Sequence, residues 1–169
     1  MLDPAFGSGG KVVTDIGGPS GGDNAHSVAI ARGGKIIAAG STSANNGDFA
    51  LARYNSDGSL DTTFGCASPP CSGKVETGDS GHQSIESVAL QKNNQIVVAG
   101  GNGGHAAVAR FTVDGLLDPR FGSGGIATTA FGTSDVFEGV AIQPTDGKIV
   151  GGGSTRSTGR DFALARYSG

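Results

Sequence analysis

Apolar residues in this chain occur in short runs that are separated by glycine, asparagine and aspartate. Two of the runs, residues 36–40 and 96–100, are apolar at both odd and even positions, so both faces of such a strand need cover. No stretch keeps the i, i+3, i+4, i+7 spacing of an amphipathic helix for several turns. The pattern predicts short β-strands, several of them buried on both sides, and no α-helix.

Three sequence units repeat along the chain. The motif Leu-Asp-x-x-Phe-Gly begins at Leu2, Leu60 and Leu117. The motif Ala-x-Ala-Arg, followed by Tyr or Phe, begins at Ala50, Ala107 and Ala163. Both motifs return at nearly constant intervals and in the same order, so the chain consists of three copies of one structural unit.

Each unit is predicted to contain antiparallel strands that are joined by tight turns. Residues that accept a positive φ stand between the expected strands, at Gly33-Gly34, Asn93-Asn94 and Asp146-Gly147. Four-stranded antiparallel sheets that repeat and are covered on both faces are the blades of a β-propeller. We therefore expect an all-β propeller with three blades per chain: blade 1 over residues 24–78, blade 2 over 84–132, and three strands of blade 3 over 137–169.

The two ends of the chain determine how the predicted ring closes. Residues 1–17 begin with the motif of an outer strand, whereas the third unit has only its first three strands. We expect this N-terminal segment to supply the outer strand of the last blade, because that leaves no free sheet edge. Three blades are too few for a propeller. The prediction is a homodimer that exchanges terminal strands to form a six-bladed ring, with larger rings as the alternative.

The segment from Asp48 to Asp61 reads Asp-Phe-Ala-Leu-Ala-Arg-Tyr-Asn-Ser-Asp-Gly-Ser-Leu-Asp. With the Leu-Asp-x-x-Phe-Gly motif, it resembles the delta-60 repeat propellers of bacterial surface proteins, and the resemblance extends over all three units. It implies a β-propeller in an extracellular or cell-surface setting, with no catalytic residues to transfer. The chain departs from the pattern in having only three units and an insertion at residues 66–71. Met1 leads at once into the repeat, so we expect no signal peptide within these residues, as in a chain trimmed from a longer secreted protein.

Composition narrows the classes of partner. The 169 residues include 32 glycines and 36% hydrophobic residues, and the formal net charge is only −3. No apolar run approaches the ~18 residues that indicate a membrane-spanning helix. There is also no basic tract of the kind that binds nucleic acid. We therefore expect neither a membrane span nor a nucleic-acid partner, and the sequence does not identify a small-molecule or protein ligand.

Arginine and aspartate recur in register with the repeats. The arginines are Arg53, Arg110 and Arg166, and the aspartates are Asp3, Asp61 and Asp118. In the first two units the aspartate follows the arginine across a predicted hairpin, so the two side chains can face each other. We predict repeated structural ion pairs. A ring of anion-binding arginines is the alternative.

One polar position comes just before the first strand of every unit and is occupied by His26, Glu86 and Glu138. If this strand lines the propeller axis, a dimer presents two His and four Glu side chains at one mouth. Imidazole and carboxylate groups bind Zn²⁺ and other divalent cations, so a cation-binding ring is one interpretation. A solvated rim is the favoured one, and we predict no resident cofactor.

Other polar residues have simpler interpretations. A matched position at the start of the third strand contains Asp48, His105 and Asp161, and a turn role is favoured there. His82 lies in a loop particular to the second unit and is expected to be solvated. The only cysteines are Cys66 and Cys71. We predict a disulfide between them rather than a zinc site, because two further ligands with suitable spacing are missing.

Two functional hypotheses follow. The favoured one is a non-enzymatic scaffold or binding module that uses the loops at residues 17–24, 42–47, 80–85, 101–104 and 155–160, since loops on a rigid scaffold commonly carry binding. The alternative is a metal-dependent enzyme of the lyase or lactonase type, with His26, Glu86 and Glu138 as ligands or acid–base groups at the axis.

Overall fold

The computed structural model describes residues 1–19, 21–44, 47–78, 82–157 and 159–169. These residues form three antiparallel sheets. The first sheet contains β1 (Asp23–Ile30), β2 (Ile36–Thr42), β3 (Asp48–Tyr54) and β4 (Lys74–Glu76). The second contains β5 (Gln83–Leu90), β6 (Ile96–Asn102), β7 (His105–Phe111) and β8 (Ile126–Thr129). The third contains β9 (Ser134–Ile142), β10 (Ile149–Arg156) and β11 (Arg160–Tyr167).

Each sheet is a meander in which consecutive strands are neighbours, and it forms one blade. The first strands begin slightly before the predicted blade limits, at Asp23, Gln83 and Ser134. The described residues include the short 3₁₀ turn Arg32–Gly34 and contain no α-helix. No helix among them has the length and apolarity to cross a membrane. The prediction of an all-β fold built from repeated antiparallel blades is confirmed.

The N-terminal segment, residues 1–17, packs against blade 1. The amide of Gly7 donates a hydrogen bond to the carbonyl of Asp57 at 2.7 Å. The outer turn of blade 1 makes the corresponding contact with blade 2, where the amide of Gly65 donates to the carbonyl of Asp114 at 2.9 Å. The segment therefore lies where the outer turn of a preceding blade would lie. Within one chain, β11 remains the edge of the third sheet in the described residues.

Apolar side chains fill the two junctions between neighbouring blades. The first junction includes Phe49, Leu51, Ile85 and Val98. The second includes Val97, Val108, Phe137 and Ile149. The strand β6 contributes to both junctions, and its residues from Ile96 to Ala99 are at most 1% exposed. Of the two strands that are apolar on both faces, β6 thus contacts a neighbouring blade on each side, whereas β2 contributes buried side chains only to the first junction.

The first strand of every blade contains a β-bulge at the same position. The residues that lack a cross-strand partner there are His26, Glu86 and Glu138. The second strand places a glycine beside each bulge, in order Gly40, Gly100 and Gly153. A Cβ on any of these glycines would collide with a backbone carbonyl of the first strand. Glycine is therefore required here by the close approach of two backbones.

Replacing Gly153 by alanine should destabilise the protein, because the new methyl group would meet the carbonyl of Val136. Gly152 is the matched control, since a Cβ there has only Leu164 nearby, at 3.9 Å. In urea denaturation we expect the free energy of unfolding to fall by about 2 kcal/mol or more in Gly153→Ala and to change little in Gly152→Ala. Equal losses in the two variants would contradict this role of the bulge.

Candidate functional site

The first strands of neighbouring blades contact one another directly. Two equivalent hydrogen bonds join them: the amide of Val88 donates to Ser27 Oγ, and the amide of Val140 donates to Ser87 Oγ, both at 3.2 Å. This repetition places β1, β5 and β9 along one inner side of the row of blades. The three bulged residues follow one another along that side. They lie within the first strands rather than just before them, where the sequence predicted them, because each strand begins three or four residues earlier.

His26 and Glu86 meet across the first junction. Nδ1 of His26 lies 3.2 Å from Oε2 of Glu86, and both side chains are about one-third exposed. The contact brings together opposite charges when the imidazole is protonated. The structure thus unites two of the three predicted axial residues at a place that solvent reaches.

Glu138 has other partners, which come from its own blade. Its Oε1 accepts hydrogen bonds from Arg160 Nη2 at 2.7 Å and from Ser154 Oγ at 3.3 Å. Arg160 Nε also donates to Ser154 Oγ. Across the described ranges, no three His, Cys, Asp or Glu side chains form a group that could hold a metal ion. A divalent cation at the axis therefore stays the alternative hypothesis to the favoured solvated rim.

The repeated arginines and aspartates form buried ion pairs in the first two units. Arg53 Nε lies 2.7 Å from Asp61 Oδ2, and Arg110 Nε lies 3.1 Å from Asp118 Oδ2. Each guanidinium also lies over an aromatic ring, at 4.5 Å from the centre of Phe64 and 4.9 Å from that of Phe121. Because these two arginine heads are engaged on both sides, the geometry favours the structural interpretation over anion binding.

Burial acts to raise the pKa of the Asp61 carboxyl, but its neighbours outweigh this effect. Hydrogen bonds from Thr63 and Lys35, together with the charge of Arg53, hold that pKa well below its usual range. The pKa of Asp118 is also lowered, because hydrogen bonds and nearby arginine charges overcome the same effect of burial. Both carboxylates therefore stabilise the folded state only while they are ionised.

The remaining arginine, in blade 3, and the remaining aspartate, in the N-terminal segment, are not paired within the described part of the chain. Arg166 and Asp3 are both exposed, and the salt bridges between described residues include neither of them. Oδ1 of Asp3 instead accepts a hydrogen bond from the amide of Ala5 at 3.0 Å. The third predicted ion pair is thus not formed within one chain.

Three side chains, one in each blade, hold the preceding connecting segment against the start of the blade by hydrogen bonds. We call them the clamps, and the sequence analysis did not identify them. These residues are Asp23, Gln83 and Asp135. The two carboxylates accept amide hydrogen bonds from the connecting segments, residues 16–17 and 131–132, and Gln83 Oε1 accepts one from the Thr77 hydroxyl. Each clamp lies three residues before a bulged residue. That constant spacing was the available signal.

The second matched position has three different surroundings. Asp48 is fully buried and Asp161 is exposed. Nδ1 of His105 lies 3.9 Å from Asp135 Oδ2. His82, which lies outside this matched position, accepts a hydrogen bond from a backbone amide with its carbonyl. This variety favours local roles over a shared site.

The predicted binding loops are described only in part, because residues 20, 45–46, 79–81 and 158 lie outside the described ranges.

Cys66 and Cys71 form a disulfide in the insertion between β3 and β4. No free cysteine exists in the chain. A zinc site would need these sulfur atoms as thiolates, whereas here each Sγ is bonded to the other. The insertion is therefore a cross-linked surface loop.

Three repeated antiparallel blades define a protein of the β-propeller class. The chain belongs to the family described as domain of unknown function (DUF5122) beta-propeller, which matches residues 34–64, 91–121 and 145–168. Each matched segment contains the second and third strands of one blade. A comparison with curated proteins gave no match.

The lowered aspartate pKa values predict a loss of stability in acid. A carboxyl with a folded pKa below its unfolded value, about 4, stabilises the fold above that value and loses the contribution as the pH falls toward the folded one. We expect the melting temperature to be nearly constant from about pH 6 to 8 and to fall below about pH 4.

Substitution of Asp61 by asparagine isolates one contribution to this profile. Asp61→Asn should already melt at a lower temperature at neutral pH, because Arg53 loses its charged partner, and it should lose less on acidification. Asp161→Asn, which changes an exposed aspartate, is the matched control and should follow the native profile. A profile for Asp61→Asn that runs parallel to the native one would show that this carboxyl does not drive acid unfolding.

Proposed function

We propose that the chain is a non-enzymatic β-propeller scaffold and that two copies of it close into a six-bladed ring. The observation that carries this proposal is the exposure of apolar side chains at both ends of the row of blades. Their counterparts are buried or partly buried wherever a neighbouring blade exists in the chain. A second copy supplies the missing neighbour at both ends.

The open face of blade 3 illustrates the contrast. Phe162 and Leu164 of β11 are 96% and 67% exposed. Phe49 and Leu51, at the same positions of β3, are 1% and 0% exposed because blade 2 covers them. Full burial of a side chain of this size contributes about 1.5–3 kcal/mol. The uncovered face therefore favours association.

The open face of blade 1 also exposes apolar side chains, and these belong to the first strand of the blade. Val28 and Ile30 of β1 are 66% and 67% exposed, whereas Val88 and Leu90, at the same positions of β5, pack against the first junction. In that junction the third strand of one blade meets the first strand of the next. Blade 3 of one copy thus fits blade 1 of another, and a two-fold ring covers both ends at once.

The strand edges are complementary as well. Among the described residues β11 pairs only with β10, whereas β3 and β7 each pair with an outer strand. The Tyr54 hydroxyl donates to Thr14 Oγ1 at 2.8 Å, and the equivalent hydroxyls of Tyr167 and Thr129 lie 2.6 Å apart. Residues 11–14 therefore contact blade 1 in the same way that β8 contacts blade 3. In the ring they pair with β11 of the second copy.

The inner side of the blades supports a scaffold rather than a catalyst. A metal-dependent lyase or lactonase would need His26, Glu86 and Glu138 to converge, whereas Glu138 binds Arg160. Any ligand would then be bound by the loops that connect the strands. An extracellular or cell-surface location is supported by the disulfide, since disulfides persist in oxidising compartments. The resemblance to delta-60 repeat proteins supports the same location.

Analytical ultracentrifugation at micromolar concentration should give twice the 16.6 kDa mass of the chain. Phe162→Asp should shift the protein toward the single-chain mass, because the interface would have to bury an unpaired charge. Leu116→Asp changes an exposed apolar residue in a turn of blade 2 and is the matched control. A single-chain mass for the native protein at high concentration, or unchanged association of Phe162→Asp, would overturn the two-copy ring.

Elemental analysis tests the non-enzymatic part of the proposal. After dialysis without chelator, we expect far less than one equivalent of transition metal per chain, because Glu138 is engaged by Arg160. Glu86→Gln and its control Glu76→Gln should then not differ. A stoichiometric metal that is lost in Glu86→Gln and kept in Glu76→Gln would favour the metal-dependent enzyme instead.

A further inference from the structure

The charged groups at the open ends form a second complementary set. We propose that Arg166 and Lys148 of one copy form a socket that binds the carboxylate of Asp3 in the second copy. This inference rests on the two-copy ring proposed above and specifies the polar contact that fixes its register. The partner it identifies is the N-terminal loop of another copy of this chain.

Two internal sockets define the pattern. Asp61 Oδ2 lies 2.7 Å from Arg53 Nε and 3.0 Å from Lys35 Nζ. The corresponding donors to Asp118 Oδ2 are Arg110 Nε at 3.1 Å and Gln95 Nε2 at 2.6 Å. In both sockets one donor belongs to the third strand of the blade and the other comes directly before the second strand. The aspartate is thus held between two adjacent strands.

Blade 3 repeats both donors. Arg166 has the position in β11 that Arg53 has in β3, and Lys148 comes directly before β10 as Lys35 comes before β2. In the single chain Lys148 Nζ lies 2.9 Å from Asp146 Oδ2, and both of these side chains are partly exposed. Asp146 is therefore the local carboxylate with which Asp3 of the second copy competes for Lys148.

The N-terminal loop has the conformation of a bound loop before it meets a partner. Asp3 Oδ1 accepts the amide of Ala5 at 3.0 Å, just as Asp61 Oδ1 accepts the amide of Thr63 at 3.1 Å. The amide of Phe6 donates to the Asp3 carbonyl at 3.1 Å, and the equivalent bond in the second unit is 3.0 Å long. A loop that is already ordered loses little conformational entropy on binding.

Backbone contacts extend the match. The amide of Asp61 donates to the carbonyl of Arg53 at 2.9 Å, and the equivalent bond in the second unit measures 2.8 Å. In the ring, the amide of Asp3 donates in the same way to the carbonyl of Arg166 in the other copy. The aromatic side chain of Phe6, which is partly exposed in the single chain, then lies below the guanidinium of Arg166 in the other copy.

The socket and the apolar docking face lie on one side of β11. Phe162, Leu164 and Arg166 are alternate residues of the strand, so their side chains share a face. Asp3 belongs to the segment that packs on blade 1, the blade with the complementary apolar face. One docking event therefore buries the apolar side chains and fills the socket together.

Charge inversion tests the socket in the full chain. Asp3→Arg and Arg166→Asp should each raise the Kd of the dimer about tenfold or more, because each leaves like charges or a lone charge at the contact. The variant with both changes should bind at least about threefold more tightly than either single variant. Arg156→Asp, which changes an exposed charge on blade 3 outside the socket, is the matched control and should keep the native Kd.

Asp3→Asn distinguishes loss of the contact from misfolding, because the substitution preserves the shape of the side chain. Circular dichroism of this variant should show native strand content. The substitution should also raise the Kd and reduce the dependence of the Kd on salt. Unchanged Kd values in the single variants, or no recovery in the double variant, would overturn the socket and leave the two-copy ring standing. A native protein that is monomeric at every concentration would instead overturn the ring itself.

Discussion

A blade of this fold cannot bury its own faces, and the rest of the structure depends on that constraint. The strand β6 is buried on both sides because blade 1 covers one face of its sheet and blade 3 covers the other. The outer blades each have one covered face, and they expose Val28 or Phe162 on the other. The hydrophobic effect that stabilises the internal junctions therefore favours association at both ends of the row.

The inner side of the row follows from backbone geometry. At each bulge one residue lies outside the regular pairing of its strand. The glycine in the neighbouring strand leaves room for the backbone of the bulge. A position that is not needed for packing tolerates a histidine in one blade and glutamates in the others, whereas the arginine of the third strand, which is buried in blades 1 and 2, is the same in all three. The inner side is thus where the blades differ in chemistry while keeping one fold.

The parts of this structure that the sequence predicts are those that depend on local geometry. Arg53 and Asp61 face each other across one hairpin, so a repeated spacing was sufficient to predict their contact. The pairing of Glu138 with Arg160 was not predictable, because the other blades have glycine where blade 3 has this arginine. The location of residues 1–17 on blade 1 depends on how blades pack side by side. Spacing along the chain does not encode that arrangement.

Amide hydrogen exchange along β11 tests closure by a second copy most directly. In blade 2 the equivalent strand, β7, pairs on both edges, so its amides define the protection that a closed blade gives. The account predicts that the amides of β11 that point away from β10 exchange as slowly as those of β7 at concentrations where two copies associate, and faster on dilution. Rapid exchange of these amides at every protein concentration would contradict it.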